Sequence, residues 1–288
     1  MEFTTIIAGW LETRLSAQAL AWLNGQRESL RENYTDRTLH ITLGLIPRRV
    51  GKDDLALTDG ELEAAANARS AWDPSRWSIA DAARALVLLE TASASNEPFE
   101  QRFKALCSTA DVAEVIGLYR ALPLYPEPQL LEPQAGEGLR SNMRTVFEAV
   151  AHYSPYPREV FREDRWNHMV LKALFVDSAL DPIQGLDDRA NPELARIMCD
   201  YAHERWAAGR AVSPELWRCV GPFAEGPMLD DLARAAASDD ENESRAAILA
   251  LQKNDSQRAR DICETRPEIN AAAKAGEFTW HDIAAACS

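Results

Sequence analysis

The stretch NPELARIMCDYAHERWAAGRAVSPELWRCVG, residues 191–221, indicates the fold because it contains one helix-start signal twice. NPEL at 191–194 and SPEL at 213–216 each place a capping side chain before a proline and an acid. The cap oxygen accepts a free backbone N–H, and proline is well accommodated at the first helical position. The stretch therefore predicts a helix over 192–208 and a short one over 214–220.

Further start signals lie along the whole chain. TDGE at 58–61, SIAD at 78–81 and TWHD at 279–282 have the spacing of a capping box, in which cap and acid satisfy each other's backbone N–H. No window alternates convincingly between apolar and polar residues, as a half-buried strand would. The predicted helices are 4–14, 16–32, 36–46, 59–69, 79–92, 97–107, 110–122, 134–153, 164–176, 192–208, 214–220, 228–238, 241–253, 256–265 and 280–286.

RTLHITLGLI, residues 37–46, is the best candidate for a strand because it is rich in Thr and Ile. Its apolar residues Leu39, Leu43 and Ile46 nevertheless recur at helical spacing. We therefore predict a helix here as well.

Short helices with short links predict an all-α fold of irregular stacked helical hairpins, with HEAT-like or α-solenoid character. The clearest hairpin is GPMLDDLARAAASDDENESRAAILALQKND, residues 226–255, in which two apolar helix faces flank an acidic turn. We predict a single domain over 1–288, with a candidate subdivision at the proline-broken segment near 154–163. The segment 177–191 is the longest without a helix pattern, and loops of this length are often functional.

The composition of the 288 residues excludes several classes of protein. Hydrophobic residues make up 46% of the chain, which is enough for a large core, and the net charge of −14 repels phosphate backbones and anionic lipids. We therefore expect no nucleic-acid binding. No run approaches the roughly 20 apolar residues of a membrane span, and acidic Glu2 stands where a signal peptide is basic. These features predict a cytoplasmic protein without direct membrane insertion.

The motifs of common enzymes, such as GxGxxG, the Walker loop and GxSxG, are absent. His203-Glu204 begins like a zincin motif, but Ala207 occupies the position of the second histidine. The five cysteines are widely spaced without a CxxC pair, which favours buried thiols over disulfides or zinc. We predict neither a cofactor nor a metal site.

His203 is the first candidate for chemistry. On the helix 192–208, one face is plainly core, and the opposite face carries Cys199, His203 and Trp206, flanked by Asp200. Because both faces have apolar residues, His203 is predicted at an inner seam between helices. There it is either a packed histidine hydrogen-bonded to Asp200 or a carbonyl, or an acid–base group that lines a pocket.

A second histidine has a similar setting. His168 and Lys172 lie one turn apart on the helix 164–176, opposite its main apolar face. If buried they need anionic or carbonyl partners, and otherwise their polar ends reach the surface.

The remaining candidates are ligand-binding residues. Arg140 and Asn142 flank the predicted core stripe Leu139, Met143, Val146 and Val150, and Arg140 has the two-pronged guanidinium suited to anions or to a structural salt bridge. In the long loop, Asp187 and Arg189 offer a carboxylate and a guanidinium. Paired aspartates here suit Mg²⁺ or Ca²⁺, but the spacing does not match an EF-hand.

Several of these segments, in the same order, resemble the EboA-domain family: RTLHITLGLIPRRVGKDDL, STADVAEVIGLYRALPLYP, EGLRSNMRTVFEAVA, WNHMVLKALFV, GLDDRANPELARIMCDYAHERWAAGR and SPELWRCVGPF. The resemblance covers about residues 5–265. It implies a place in a bacterial secondary-metabolite operon beside a membrane prenyltransferase, a TIM-barrel hydrolase, a dehydroquinate-synthase-like cyclase and a sugar-phosphate-isomerase-like protein. It carries no catalytic residues over to this chain.

Two functions follow as hypotheses. The first is a noncatalytic binding or adaptor component that holds a small-molecule intermediate of cyclitol or prenyl type, or an operon partner enzyme such as the prenyltransferase. The second is an enzyme on a sugar-, cyclitol- or prenyl-derived intermediate, with His203 or His168 as acid–base, Asp187 orienting it and Arg140 holding an anion. A weaker third is a peripheral subunit docked onto the prenyltransferase.

Overall fold

The structure, a computed structural model, describes residues 2–287 and confirms the all-α prediction. It has no strand among these residues, only an isolated bridge between Asp54 and Ser78. The α-helices are α1 Glu2–Arg14, α2 Ala17–Glu32, α3 Asp36–Arg49, α4 Asp59–Ala68, α5 Ile79–Glu90, α6 Phe99–Thr109, α7 Val112–Arg120, α8 Glu132–Arg140, α9 Arg144–Ala151, α10 Tyr156–Val160, α11 Glu163–Phe175, α12 Pro192–Ala207, α13 Trp217–Val220, α14 Pro227–Ala236, α15 Glu241–Leu251, α16 Gln257–Glu264, α17 Pro267–Ala275 and α18 Trp280–Ala286.

Short 3₁₀ turns link some of these helices, at Leu122–Leu124, Pro128–Leu131, Pro214–Leu216 and Gly221–Phe223. The described residues divide into two compact units, one ending at Phe161 and the other beginning at Arg162. Among residues 2–287, no helix combines the length and the apolar character that crossing a membrane requires. Cys107, Cys199, Cys219 and Cys263 are buried free thiols, whereas Cys287 is exposed.

Helix α5 is the centre of the first unit. Every residue from Ile79 to Leu88 is buried, and helices α1, α2, α3 and α7 pack around it. The helix begins as predicted with a capping box, in which Ser78 Oγ accepts the N–H of Asp81 and Asp81 accepts the N–H of Ser78. A helix that is apolar on all sides must lie inside the fold.

Helix α15 has the corresponding place in the second unit, where it contacts α13, α14, α16, α17 and α18. Helices α14 and α15 form the hairpin predicted over 226–255, and Asp240 caps α15 by accepting the N–H of Asn242 at 2.9 Å. The turn at Gly221 lies against α15 so closely that a Cβ there would be 2.2 Å from the Ala250 carbonyl oxygen. Only glycine fits at this position.

The predicted helix over 134–153 is wrong, because the chain forms two helices joined at 141–143. Ser141 Oγ accepts the N–H of Met143 at 3.1 Å, a local bond that competes with helix continuation. Met143 is consequently 49% exposed rather than part of the core stripe. The short helix α10 and the helix α17 are absent from the sequence prediction.

Candidate functional site

His203 is exposed, and its predicted position at an inner seam is wrong. The ring lies on α12 and its Nε2 is 2.9 Å from both carboxylate oxygens of Asp231 on α14. The side chain is 52% exposed, although its neighbour Ala202 and Cys199 are buried. Packing covers α12 on the sides of α11 and α13, and the strip that carries Asp200 and His203 faces solvent.

Asp200, one of the two expected kinds of partner for His203, instead accepts a hydrogen bond from Arg196 Nη1 at 2.6 Å. His168 is also exposed, and its Nδ1 donates to the carbonyl oxygen of Asp164, one turn back on α11, at 2.9 Å. Lys172 is half-buried on the same helix. Both exposed histidines thus have partners, His203 on the neighbouring helix α14 and His168 within its own helix.

Arg140 and Asn142 lie in the first unit, whereas the other candidate residues lie in the second. Arg140 is the last residue of α8, is 64% exposed and forms an ion pair with Glu137. Asn142 is exposed in the link between α8 and α9. On the following helix α9, Arg144 and Glu148 form an ion pair, with Nε and Oε1 2.6 Å apart.

In the long loop, Asp187 pairs with a residue that the sequence did not single out, Arg218. Arg218 Nε and Nη2 donate to the two Asp187 oxygens at 2.7 and 2.9 Å, and this bond holds the pKa of Asp187 below its usual value. Arg189 places its guanidinium 4.6 Å from the centre of the Trp166 ring. No group of His, Cys, Asp and Glu suited to a metal ion occurs within residues 2–287.

Arg218 belongs to a cluster that fixes the loop 177–191 in the second unit. Its Nη1 donates to Asp181 at 3.0 Å, and His281 Nδ1 is 3.0 Å from the other Asp181 oxygen. Buried Glu215 accepts the N–H groups of Leu180 and Asp181 at 2.7–3.1 Å. Arg218, Asp181, Asp187 and His281 pair with one another, and Glu215 is satisfied by backbone N–H groups, so the cluster explains the order of the loop rather than a binding site.

A cavity in the first unit has the features of a site. It measures about 280 Å³ and lies among α3, α5, α6 and α7. We call it the Arg84 cavity. It is lined by His40, Ile41, Leu43, Gly44, Arg84, Leu106, Thr109, Ala110, Glu114 and Leu118.

Arg84 is buried in this cavity, with an exposed fraction of 2%, and lacks most of its hydrogen-bond partners. Its Nη1 donates to the carbonyl oxygen of Ala113 at 3.2 Å. Its Nε and Nη2 are buried and have no partner within the described part of the chain. Burial lowers the pKa of the guanidinium, and the charges of Glu114, Asp81 and Asp111 offset part of that effect. A buried cation with unmet donors is costly to keep. A guanidinium with a perturbed pKa beside a cavity makes this place a candidate site.

The nearby carboxylates already have other partners. Asp81 accepts a hydrogen bond from Arg120 Nη1 at 2.7 Å, and it also accepts the backbone N–H of Ser78 in the capping box. Glu114 Oε2 accepts the N–H of Asp111 at 3.2 Å in the capping box of α7. Asp81 is therefore neutralised by Arg120, whereas Glu114 adds a negative charge to the cavity wall.

At the edge of the cavity, half-buried His40 on α3 and exposed Thr109 on α6 approach each other, with Nδ1 and Oγ1 3.4 Å apart. Gly44 and Ile41 are exposed on the same side, so the cavity opens to solvent there. A Cβ built on Gly44 would lie 3.7 Å from Glu114 Oε1, which is an ordinary contact. A side chain at residue 44 would therefore enter the cavity without breaking α3.

A second hollow in the same unit provides a contrast. It measures about 240 Å³ and is lined by residues that include Arg27 and Glu90. There, Arg27 Nε and Nη2 donate to the two oxygens of Glu90 at 2.8 and 2.6 Å. Because the hydrogen bonds of this arginine are made within the protein, it does not indicate a binding site.

Arg84 was not predicted as a site residue, although the sequence contains a signal for its burial. The segment IADAARALVLLE, residues 79–90, carries Arg84 at its middle and is otherwise apolar on every face between the capping residue Asp81 and the final Glu90. A helix apolar on all faces is buried, so an arginine at its centre must be buried too. The side chains that surround it come from α3, α6 and α7, and their convergence requires the tertiary structure.

The comparisons with known proteins identify one family. A family model described as "Metabolite traffic protein EboA" matches residues 3–221. The match includes both the Arg84 cavity and the beginning of the second unit, and it ends short of the residue 265 to which the resemblance extended. No curated protein and no solved structure matches the chain.

Proposed function

The chain belongs to the EboA family of metabolite traffic proteins, and we propose that it is a noncatalytic component that binds a small-molecule metabolite in the Arg84 cavity. The observation that carries this proposal is the cavity of about 280 Å³ among α3, α5, α6 and α7, whose mostly apolar wall includes the charged side chains of Arg84 and Glu114.

The surroundings of Arg84 support binding rather than catalysis. Helix α5 is buried along its length and holds the arginine in place, so the cavity is preformed. Preformed, mostly apolar cavities with a few polar groups are typical of small-molecule sites. The alternative hypothesis, an enzyme with His203 or His168 as the acid–base, loses support because both rings are exposed and engage neighbours outside any cavity described above.

The pathway and the partners are part of the same proposal. We assign the protein to secondary-metabolite biosynthesis or trafficking of a cyclitol- or prenyl-type compound in the cytoplasm, with operon enzymes such as the membrane prenyltransferase as partners. The family description supports a role with metabolites. Capture of the operon enzymes by the tagged full chain tests the partner proposal, and failure to recover any of them would contradict it.

Metabolite profiling of a strain that depends on this gene tests the binding proposal. The strain is complemented with the wild-type chain, Arg84→Met or His203→Ala, and protein abundance is measured in each case. We expect Arg84→Met to lose the metabolite phenotype and His203→Ala to retain it. Full complementation by Arg84→Met would contradict the proposed site, and loss of the phenotype in His203→Ala at normal abundance would support the enzyme hypothesis.

A further inference from the structure

Aliphatic side chains form the inner wall of the Arg84 cavity, the binding site of the proposed function on which this inference rests. Leu43, Leu106 and Leu118 line the cavity and are at most 4% exposed. They belong to α3, α6 and α7, so three of the four surrounding helices each contribute one leucine. A wall of this kind favours contact with apolar rather than polar atoms of a ligand.

The polar groups that a ligand can reach lie mainly at the opening of the cavity. Nε and Nη2 of Arg84 have almost no accessible surface, and its Nη1 donates to a backbone carbonyl oxygen. His40 is half-buried and Thr109 is exposed. Half-buried Glu114 has its Oε1 3.7 Å from the place that a Cβ on exposed Gly44 would occupy. The cavity is therefore apolar inside and polar beside its open side.

Apolar side chains also border the opening. Ile41 lines the cavity and is 50% exposed, and Val112, which lies in the chain between the lining residues Ala110 and Glu114, is 42% exposed. Single exposed apolar side chains are common on protein surfaces. These two extend the apolar surface of the cavity outwards, where an entering hydrocarbon chain would make its first contacts.

The volume of the cavity limits the size of this hydrocarbon chain. An apolar protein cavity of about 150 Å³ holds one benzene molecule, so the cavity of about 280 Å³ has room for roughly ten to twelve carbon atoms. We infer that the Arg84 cavity binds the hydrocarbon tail of an amphiphilic metabolite, with the tail against the leucines and the polar end at the opening beside His40, Thr109 and Glu114.

The alcohols 1-octanol and 1,8-octanediol test this inference because they differ only in the second hydroxyl group. With its tail inside, 1-octanol keeps its hydroxyl at the opening, whereas the diol must bury one hydroxyl among the leucines without a hydrogen-bond partner. Titration calorimetry with the full chain measures both affinities. We expect 1-octanol to bind about tenfold more tightly than the diol, or better.

The length of the chain gives a second readout. Each additional buried CH₂ group should tighten binding by about fourfold, so the affinity should rise steeply from 1-butanol through 1-hexanol to 1-octanol. A ligand held only through its hydroxyl group would not show this rise.

Gly44→Leu tests whether the alcohols bind in the cavity, because a side chain at residue 44 enters it. This variant should weaken the binding of 1-octanol by about tenfold or more, since it displaces several CH₂ groups of the ligand. Gly44→Ala is the matched control, because its Cβ makes only an ordinary contact with Glu114, and it should bind 1-octanol as the wild type does. Circular dichroism checks that both variants are folded.

The failure of the ligand class and the failure of the site are distinguishable. The ligand class is wrong if the diol binds as tightly as 1-octanol, if the affinity does not rise with chain length, if Gly44→Leu binds 1-octanol normally, or if no alcohol binds. Complementation of the metabolite phenotype by Gly44→Leu then decides about the site. Loss of the phenotype at normal protein abundance would keep the cavity as the site of another ligand, whereas full complementation would overturn the proposed function as well.

Discussion

Arg84 and Arg102 are both buried arginines of the first unit, yet their surroundings differ. Arg102 donates to the carbonyl oxygens of Ala92 and Thr91 at 3.0 Å each, and its guanidinium lies 4.8 Å from the centre of the Tyr34 ring. Its Nε makes no hydrogen bond within the described residues but lies 4.0 Å from Asp36 Oδ1. Arg84 has one bond of 3.2 Å. A buried charge stabilises a fold only when its hydrogen bonds are made. Arg102 therefore contributes to the stability of the fold, whereas Arg84 contributes little to it.

We predict opposite effects of removing these two charges. Arg102→Met should lower the free energy of unfolding by about 3 kcal/mol, because it leaves two buried carbonyls without donors. Arg84→Met should leave stability unchanged or raise it, because it removes an unsatisfied buried cation. Chemical denaturation of both variants measures the difference. An equal loss in the two variants would mean that Arg84 is structural.

Features that depend on a few neighbouring residues were predictable, whereas features that depend on packing between distant helices were not. The capping boxes at Thr58, Ser78 and Thr279 are confirmed because each depends on four consecutive residues. The burial of His203 was wrong because it depends on which helices pack against α12. Arg84 was missed because its cavity is assembled from helices that are distant in sequence.

At the scale of elements, α1 and α4 are joined by a two-pronged ion pair. Arg14 Nη1 and Nη2 donate to the two oxygens of Glu61 at 2.8 and 2.6 Å, while Glu61 Oε2 also accepts the N–H of Thr58 in the capping box. The pKa of Glu61 is lowered from 4.5 to about 2, and the hydrogen bonds from Arg14 are the main cause. One carboxylate thus starts α4 and attaches it to α1.

The ion pair of Arg14 and Glu61 predicts that the free energy of unfolding depends on pH. Since the folded pKa lies below the unfolded value, the contribution of Glu61 to stability is fully present above pH 4.5 and is lost as the pH falls through about 2. Glu61→Gln should lower the free energy of unfolding by about 1 kcal/mol at pH 7. Urea denaturation at pH 7 and at lower pH should show the deficit shrinking, whereas the control Glu63→Gln on the same helix should show no deficit. A deficit independent of pH would contradict the role of the charge.

The sequence predicted most elements well and their ends less so. Helices such as α2, α5 and α12 follow from caps and apolar spacing, which are local. The break between α8 and α9 was missed because a single side-chain bond from Ser141 decides it. Helix propensity alone does not predict when a side-chain hydrogen bond replaces a backbone hydrogen bond of the helix.

For the whole molecule, the family match and the compact units have different boundaries. The match ends at residue 221, but the second unit continues through α14–α18. Its central helix α15 lies beyond the match and contacts the 3₁₀ turn that begins at Gly221. The C-terminal helices therefore complete a core that the matched region begins.

Truncation of the chain after residue 221 tests whether the second unit needs helices α14–α18. We expect the second unit to lose its cooperative unfolding, because buried Leu216, Trp217 and Val220 would lose the cover of α15. The first unit should keep its own transition. Calorimetry and limited proteolysis measure both, and removal of residues 280–288 alone should have a smaller effect. A truncated chain that unfolds as the full chain does would contradict the expectation.

The burial of α5 has a consequence for the timing of ligand exchange. Because Arg84 lies on the innermost helix, it stays fixed while a small molecule enters and leaves through the open side at Ile41 and Gly44. Ligand exchange then needs no movement of α5, and its rate should depend on the width of this opening, beside the contact of His40 and Thr109. A bulkier side chain at residue 41 should therefore slow both entry and release.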